Sequence, residues 1–213
     1  MAFSTTCCLC PRLAGFLDQV RVEYPDYHAL PVSSFGEAGG KFLIVGLAPG
    51  MHGANRTGRP FTGDFAGNLL YGSLHKYGFA SSADPLNKEG NANPALTLQS
   101  CRITNAVRCL PPQNKPEPSE IKTCNGYLAE ELAMLPSGSA VMALGTIAHQ
   151  AVLAALQLRK SSFVFGHGAR HELPNGLTLF DSYHCSRYNT QTRRLTTVMF
   201  EAVIADITKH LER

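Results

Sequence analysis

Several features that would place a protein in a special class are missing from this sequence. The 213 residues contain no apolar run of the roughly 18–20 residues that a membrane-spanning helix needs. The first residues, MAFSTTCC, lack the basic start and the apolar core of a signal peptide. Internal repeats and low-complexity segments are also missing. We therefore expect a cytoplasmic protein that forms one domain over residues 1–213 and does not associate with a membrane.

The sequence also has only a small excess of positive over negative charge. The net charge is only +3, from 19 basic and 16 acidic residues, which by itself is too small to indicate a nucleic-acid partner. The basic residues are nevertheless concentrated in or beside the long loops, and charge does not decide whether they form a basic face or an ordinary solvated surface. They are Arg56, Arg59, Arg102, Arg108, Lys115, Arg187, Arg193 and Arg194.

Apolar runs and helical periodicities alternate along the chain. The continuous apolar run at 41–48 is typical of a strand buried on both faces, and the segments at 101–107, 139–145 and 177–184 are predicted to be further strands. Helical spacing predicts helices at 9–23, after Asp64, after Ser119, after Gly145 and at 192–211. This order predicts an α/β fold, a three-layer α/β/α sandwich with a central, mainly parallel four-stranded sheet. The loops 46–64, 105–118 and 184–194 should meet at the carboxyl ends of the strands, where such folds bind ligands.

The first of these loops, GLAPGMHGANRTGRPFTGD from Gly46 to Asp64, contains five glycines, two arginines and one acid. Glycines behind a strand let the backbone approach a ligand closely. The loop has neither the GKS/GKT ending of a phosphate-binding P-loop nor the GxGxxG spacing, so a nucleotide-phosphate site is weakly supported. Asp64 has two possible roles, a helix N-cap, because an apolar helical run follows it, or a catalytic carboxylate.

Four of the seven cysteines form two local pairs. Cys7 and Cys10 are a C-x-x-C pair, and Cys109 and Cys124 are separated by fourteen residues. Four thiolates can hold a tetrahedral metal ion or an iron–sulfur cluster, and the Cys10-Pro11 dipeptide slightly favours the cluster. Unrelated buried thiols are the alternative. The cysteines left outside this set are Cys8, Cys101 and Cys185.

Together these segments resemble the family 5 (type B) uracil-DNA glycosylases, over nearly the whole chain. The resemblance rests on CLCPRL, the glycine-rich loop, TNAVRCLPPQNKP, the later Cys124 and HCSRYNTQTRRLT. It implies a uracil-DNA glycosylase-like fold and a monofunctional enzyme that flips uracil, hypoxanthine or xanthine out of double-stranded DNA and hydrolyses the N-glycosidic bond. It also implies a monomer, associated with the nucleoid in a prokaryote, and a structural [4Fe–4S] cluster on Cys7, Cys10, Cys109 and Cys124.

The resemblance assigns roles to individual residues. Asp64 is the catalytic carboxylate, since Ala48 stands where other branches of the superfamily have an acid or an asparagine. His184 donates a hydrogen bond to uracil O2, and Asn105 reads the base edge or holds water. Gly50 stands where other branches have a bulky aromatic residue, so the pocket should admit larger bases. The residues expected to contact the base or the DNA are Gly46, Leu47, Gly50, His52, Asn55, Phe61, Ser186, Arg187, Tyr188 and Asn189.

Two of these assignments have competing interpretations. Phe61 is either the aromatic ring on which the flipped base stacks or an ordinary core residue. The third loop reads HCS where the family generally has His-Pro-Ser, so Cys185 loosens a rigid turn. Tyr188 replaces a polar residue and can either stack on a base or fill the vacated site. Candidate phosphate contacts in this loop are Arg187, Arg193 and Arg194.

A second function from another class stays open, a non-catalytic iron–sulfur protein that binds damaged or single-stranded DNA. The methyl side chain of Ala48 and the altered HCS triplet favour it. The presence of all three candidate catalytic residues, Asp64, Asn105 and His184, argues against it. Release of a base from DNA is the property that separates the two interpretations.

Overall fold

One mixed β-sheet forms the centre of the computed structural model, which describes residues 3–212. Its strands lie in the order β1-β3-β2-β4-β6-β5. The four central strands are parallel, and β1 and β5 pair antiparallel to them at the two edges. The strands are β1 (Phe35–Gly36), β2 (Phe42–Gly46), β3 (Cys101–Asn105), β4 (Ala140–Leu144), β5 (Arg170–Glu172) and β6 (Thr178–Ser182).

The α/β class and the parallel centre of the sheet are confirmed, whereas the strand number of four was too low. Every residue of β2, β4 and β6 is buried, and β2 and β4 are accordingly continuous apolar runs in the sequence, whereas β6 also buries the polar side chain of Asp181. The edge strands β1 and β5 have two and three residues, and these are exposed or half-buried. Such short strands leave no apolar run to detect.

Helices cover both faces of the sheet. Helices α3 and α7 pack on one face, α4 and α5 on the other. Helix α1 packs against α4 through a separate apolar cluster that includes Leu13, Leu17 and Tyr127. None of the helices in the described part of the chain is long and apolar enough to cross a bilayer. The helices are α1 (Pro11–Glu23), α2 (Ala54–Thr57), α3 (Phe65–Lys76), α4 (Pro118–Ala133), α5 (Thr146–Ala155), α6 (Arg187–Gln191) and α7 (Thr197–Leu211).

Strand β2 shows how the sheet holds the two helical layers. Successive side chains of a strand point to opposite faces. Phe42 and Ile44 therefore lie in the cluster with α3 and α7, and Leu43 and Val45 lie in the cluster with α4 and α5. The strand is anchored from both sides, so the loop that leaves its carboxyl end starts from a rigid position.

The last helical segment differs from the prediction of one helix over 192–211. The chain forms the short helix α6 and then α7, which begins five residues later than predicted. Arg193 has a left-handed backbone with φ of 56°, which interrupts the helix. The hydroxyl of Thr196 then accepts a hydrogen bond from the amide of Met199 at 3.2 Å and caps α7.

Candidate active site

A cavity of about 610 Å³ opens at the carboxyl edge of the central strands. Its size lies within the range of small-molecule sites. The convergence of the three loops is confirmed, because each contributes to the lining. The loop after β2 contributes Leu47 and Asp64, the loop after β3 contributes Asn114, and the loop after β6 contributes His184.

Asp64 caps a helix and also lines the cavity. Its Oδ1 accepts a hydrogen bond from the amide of Gly67 at 3.0 Å and caps α3, so the predicted N-cap is confirmed. Its Oδ2 lies beside Gly50 and Gly53, where a Cβ built on Gly53 would approach it to 2.6 Å. Burial raises the pKa of the Asp64 carboxyl, opposed by the backbone amides of Gly67 and Ala66.

His184 presents a neutral ring to the cavity. Burial lowers the pKa of its imidazole to about 4, because the charged form is poorly solvated there. The ring stacks against Phe61 with the centroids 5.9 Å apart. The backbone carbonyl of His184 accepts a hydrogen bond from the side-chain amide of Asn189 at 2.8 Å, which fixes the start of the third loop. At neutral pH this histidine can donate one hydrogen bond without carrying charge.

The side chains of Asn105 and Phe61 both pack closely against Gly46. Asn105 lies opposite Gly46 in the parallel pair β2–β3. A Cβ on Gly46 would collide with the amide oxygen of Asn105 and would approach Phe61 Cζ to 2.6 Å. That oxygen is buried and has no hydrogen-bond partner among residues 3–212. A buried acceptor at a cavity wall without a partner is costly unless a ligand or water completes it.

Phe61 belongs to the apolar core and also lines the cavity, so its position is compatible with both interpretations. It is 6% exposed and packs in the apolar cluster under α3, yet it also lines the cavity. Its φ of 52° is a left-handed conformation that is rare for an aromatic residue. Strain of this kind is often found at ligand sites, where the surroundings hold the residue in place.

The remaining contacts predicted in the first loop fall into two groups. Leu47 and Gly50 line the cavity, and a Cβ on Gly50 would meet only Asp64 Oδ2, at 3.6 Å, so this wall is open. His52 also lines it, and its Nδ1 hydrogen bonds to the hydroxyl of Tyr27 at 2.8 Å. Asn55 is fully buried and outside the lining, so a contact at the rim does not fit its position.

The contacts predicted in the third loop also fall into residues that line the cavity and residues that do not. Ser186 and Arg187 line the cavity. Ser186 also caps α6, accepting a hydrogen bond from the backbone amide of Asn189. One N–H of the Asn189 side chain donates to the backbone of His184, so Asn189 helps to shape the loop. Tyr188 is 70% exposed, which leaves its ring free to meet a partner.

Several of the arginines that the sequence left as candidates for a basic face are used inside the protein. Arg102 and Arg108 form ion pairs with Glu131 at 2.8 and 2.7 Å. Arg56 and Arg59 donate to the backbone carbonyls of residues 90 and 93 at 2.9 and 2.7 Å. These four therefore brace the loops and the sheet edge. Arg187 and Arg194 lie over the rings of Phe65 and Tyr183.

Sequence reasoning missed some residues of the lining. Met51 and Phe65 belong to it, and Phe65 is 39% exposed at the first turn of α3. Asn114 reaches the cavity from the Pro-rich loop with a φ of 57°. The convergence of that loop was predictable, but nothing in the sequence distinguishes Asn114 from its neighbour Gln113.

The four paired cysteines surround a second, small cavity between α1, α4 and the loop after β3. Cys7, Cys10, Cys109 and Cys124 all line it. Burial, followed by the neighbouring thiols, raises the pKa of Cys109 to about 12, and burial, opposed by Arg108, raises the pKa of Cys124 to about 11. The amide of Arg108 donates to Cys124 Sγ at 3.4 Å. Deprotonation of these crowded thiols therefore needs a compensating cation, as a metal or cluster would supply.

The other three cysteines lie apart from this cavity. Cys8 is exposed, and Cys101 and Cys185 are fully buried in the apolar cluster under α3 and α7. Burial raises the pKa of Cys101 and Cys185 well above the usual thiol range. Both therefore behave as small apolar core residues.

Comparison with known proteins assigns this arrangement to a family. The model of the uracil DNA glycosylase superfamily matches residues 33–208, which include the whole sheet and all three loops. The Type-5 uracil-DNA glycosylase of Thermus thermophilus is 45% identical over 207 residues, covering 95% of this chain and 92% of the relative. Those of Mycobacterium tuberculosis and Pyrobaculum aerophilum are 39% and 36% identical, over 98% and 93% of this chain and 79% and 86% of theirs.

The chain therefore belongs to the uracil-DNA glycosylase superfamily and, within it, to the type-5 family.

Proposed function

We propose that this protein is a monofunctional uracil-DNA glycosylase that flips uracil out of double-stranded DNA and hydrolyses the N-glycosidic bond, leaving an abasic site. The observation that carries the proposal is the grouping of Asp64, Asn105 and His184 at one cavity in a chain of this family. The type-5 relatives carry the same activity in their names. We further propose that it acts as a cytoplasmic monomer, associated with the nucleoid in a prokaryote.

The proposed chemistry divides the developing charges between two residues. Departure of the base leaves an oxocarbenium-like sugar and a base that carries negative charge. Asp64 Oδ2, on the cavity side, stabilises the sugar cation and orients the attacking water. The neutral His184 ring donates a hydrogen bond to uracil O2 as charge accumulates there. A neutral donor suits this task because it binds the leaving base without requiring a buried cation beforehand.

Recognition of the base is assigned to Asn105 and Phe61. The side-chain amide of Asn105, which lines the cavity, is proposed to hydrogen bond to the uracil edge. The ring of Phe61 offers an apolar face against which the flipped base stacks. Flipping costs a few kcal/mol, least for a mispaired base, and this favours deaminated bases over normal ones.

The open wall at Gly50 supports a wider range of substrates. A Cβ there would contact little besides Asp64, so nothing bulky excludes a larger ring. We propose that hypoxanthine and xanthine are also released. Within the described lining there is no lysine, which accords with hydrolysis to an abasic site and without a Schiff-base step that cleaves the strand.

Cys7, Cys10, Cys109 and Cys124 are the proposed ligands of a structural [4Fe–4S] cluster. Around one zinc ion the four sulfurs would lie about 3.8 Å apart, given a Zn–S bond of about 2.3 Å. Among residues 3–212, no three of the cysteine sulfurs lie within 4.8 Å of one another. This wider spacing favours a cluster, whose iron and sulfide atoms separate the ligands, over a single zinc ion.

The DNA is proposed to approach the exposed side of the third loop. Arg187 lies at the cavity, with its guanidinium over Phe65, and is proposed to contact a phosphate. The exposed ring of Tyr188 is proposed to stack on bases beside the flipped nucleotide. Arg193 and Arg194 are proposed as further phosphate contacts.

A base-release assay tests the function and its scope. We expect wild type to release uracil and hypoxanthine from labelled duplexes, with alkali revealing abasic sites and no strand cleavage before alkali. Gly50→Tyr should fill the open wall and lower hypoxanthine release at least about tenfold more than uracil release. Binding of the duplex without any release by wild type would make the protein a damage-binding protein instead. Equal losses of uracil and hypoxanthine release in Gly50→Tyr would refute the proposal that Gly50 makes room for larger bases.

The pH dependence should identify Asp64 as the group that titrates. Its pKa is raised by burial, so the carboxylate is lost as pH falls through a value above the usual aspartate range. His184 stays neutral down to about pH 4. We expect single-turnover uracil release to rise with pH through the raised Asp64 pKa and then to level off. The His184→Gln variant should keep this fall in rate at acidic pH, and the Asp64→Asn variant should lose it. The reverse pattern would assign the pH dependence to the histidine.

A further inference from the structure

A second cluster of ligating side chains lies on the α5 side of the sheet, outside the lining of the large cavity. His149 on α5, His171 on β5 and Asp181 on β6 place one ligand atom each within 4.8 Å of one another. His149 Nδ1 is 2.7 Å from Asp181 Oδ1, and His171 Nε2 is 3.2 Å from Asp181 Oδ2. Two imidazoles and a carboxylate are a donor set that divalent transition metals favour.

The hydrogen bonds of His149 favour a positive charge at this point. Its Nε2 faces the backbone carbonyl of Phe163 at 3.0 Å, and its Nδ1 faces the Asp181 carboxylate. Both partners only accept hydrogen bonds, so a neutral imidazole with one N–H cannot satisfy both. Either the ring carries a second proton or a metal ion replaces that proton on Nδ1.

The surroundings match those of a metal ligand. Metal-bound histidines commonly donate their other N–H to a backbone carbonyl, as His149 does to Phe163. The ligating carboxylate is usually held by a further donor, and the amide of Gly166 lies 3.4 Å from Asp181 Oδ2. The side chain of Asp181 is fully buried, while His171 is 15% exposed and leaves a route for an ion and a water ligand.

We propose that His149 Nδ1, His171 Nε2 and Asp181 bind one divalent transition-metal ion, for which Zn²⁺ is the best fit. Binding displaces the proton from His149 Nδ1 and gives the buried carboxylate a closer counter-charge. The ion joins the short edge strand β5 to β6 and to α5. Asp181 precedes the catalytic His184 by three residues, so the ion also fixes the strand from which the third loop leaves the sheet.

X-ray absorption spectroscopy at the zinc edge, on the full-length protein loaded with its cluster, tests this site directly. After dialysis against a chelator and addition of zinc alone, we expect about one zinc ion per chain, with only nitrogen and oxygen ligands at about 2.0–2.1 Å. Zinc bound by the cysteines would instead show sulfur at about 2.3 Å. The type of atom bound to zinc in the wild-type protein therefore distinguishes the histidine–aspartate site from the cysteine site without any mutation.

Variants provide the second measurement. His171→Gln should weaken zinc binding at least about 100-fold. His75→Gln is the matched control, since His75 lies on the exposed side of α3 and hydrogen bonds only to the carbonyl of Ala80 at 3.0 Å. It should bind zinc like wild type. No zinc uptake by wild type, sulfur ligands, or unchanged binding in His171→Gln would overturn the proposal and leave a buried imidazolium–carboxylate cluster.

Discussion

Replacing Asp64 by asparagine is expected to lower the single-turnover rate of uracil release at least about 100-fold, near 2.7 kcal/mol of barrier, with little change in thermal stability. The reason lies in the two oxygens of the carboxylate. Oδ1 caps α3 through the amide of Gly67, a role that asparagine performs equally well. Oδ2 faces Gly50 and Gly53 on the cavity side, and asparagine removes its charge.

The alanine variant separates the two contributions of Asp64. Asp64→Ala loses the cap as well as the charge, so the free energy of unfolding should fall by about 1 kcal/mol and the melting temperature by about 2–4 °C. Its activity should be as low as that of Asp64→Asn. An asparagine variant with wild-type activity would reduce Asp64 to a helix cap and direct attention to Asn105 as the group that orients water.

Replacement of a proposed cluster ligand is expected to produce the largest change in stability. Cys109→Ser should lose most of the absorbance near about 400 nm and at least about 10 °C of melting temperature, because metal-site binding energy contributes directly to folding. The site joins α1, α4 and the loop after β3. Loss of the proposed cluster should therefore release the outer helix α1 and loosen the Pro-rich loop that reaches the large cavity.

Cys8→Ser is the matched control for that experiment. Cys8 lies in the same N-terminal segment between Cys7 and Cys10, but it is exposed and outside the cysteine cavity. The variant should keep the wild-type absorbance and melting temperature. Retention of the cluster in Cys109→Ser, or its loss in Cys8→Ser, would show that the ligand set is wrong.

The central sheet could be predicted because its strands are buried on both faces. Burial on two sides favours an apolar run such as Phe42–Val45, and the four segments predicted to be strands contain the four parallel strands. The edge strand β5 could not be found in this way, since Arg170 and Glu172 are exposed and its pairing is set by the neighbouring strand. The boundary between α6 and α7 depends on the left-handed backbone at Arg193, which no local sequence signal indicates.

The candidate site was predictable to the extent that topology determines it. Parallel strands place Asn105 and His184 at the same edge as the glycine-rich loop, whatever the details of packing. The position of a side chain within a loop was not predictable. Asn55 and His52 are three residues apart in one loop, yet Asn55 is fully buried and His52 is exposed beside Tyr27. The fold of the loop decides which of them faces the cavity.

The neutral state of His184 and the cluster around Asp181 also come from tertiary packing. Burial by neighbours that are distant in sequence lowers the His184 pKa to about 4. His149 and His171 are 22 residues apart in the chain and meet Asp181 only because α5 packs beside β6 and β5. Single-sequence patterns do not contain such contacts.

A crystal structure with a duplex that carries 2′-fluoro-2′-deoxyuridine would test the central claim most directly. The fluorine destabilises the oxocarbenium-like transition state, so the intact nucleotide stays bound. We expect the uracil in the cavity of Phe61 and His184, with its edge within about 3.2 Å of the Asn105 amide and C1′ of the sugar facing Asp64 Oδ2. A uracil that remains stacked in the duplex, or that binds with Asp64 turned away from the sugar, would contradict the account.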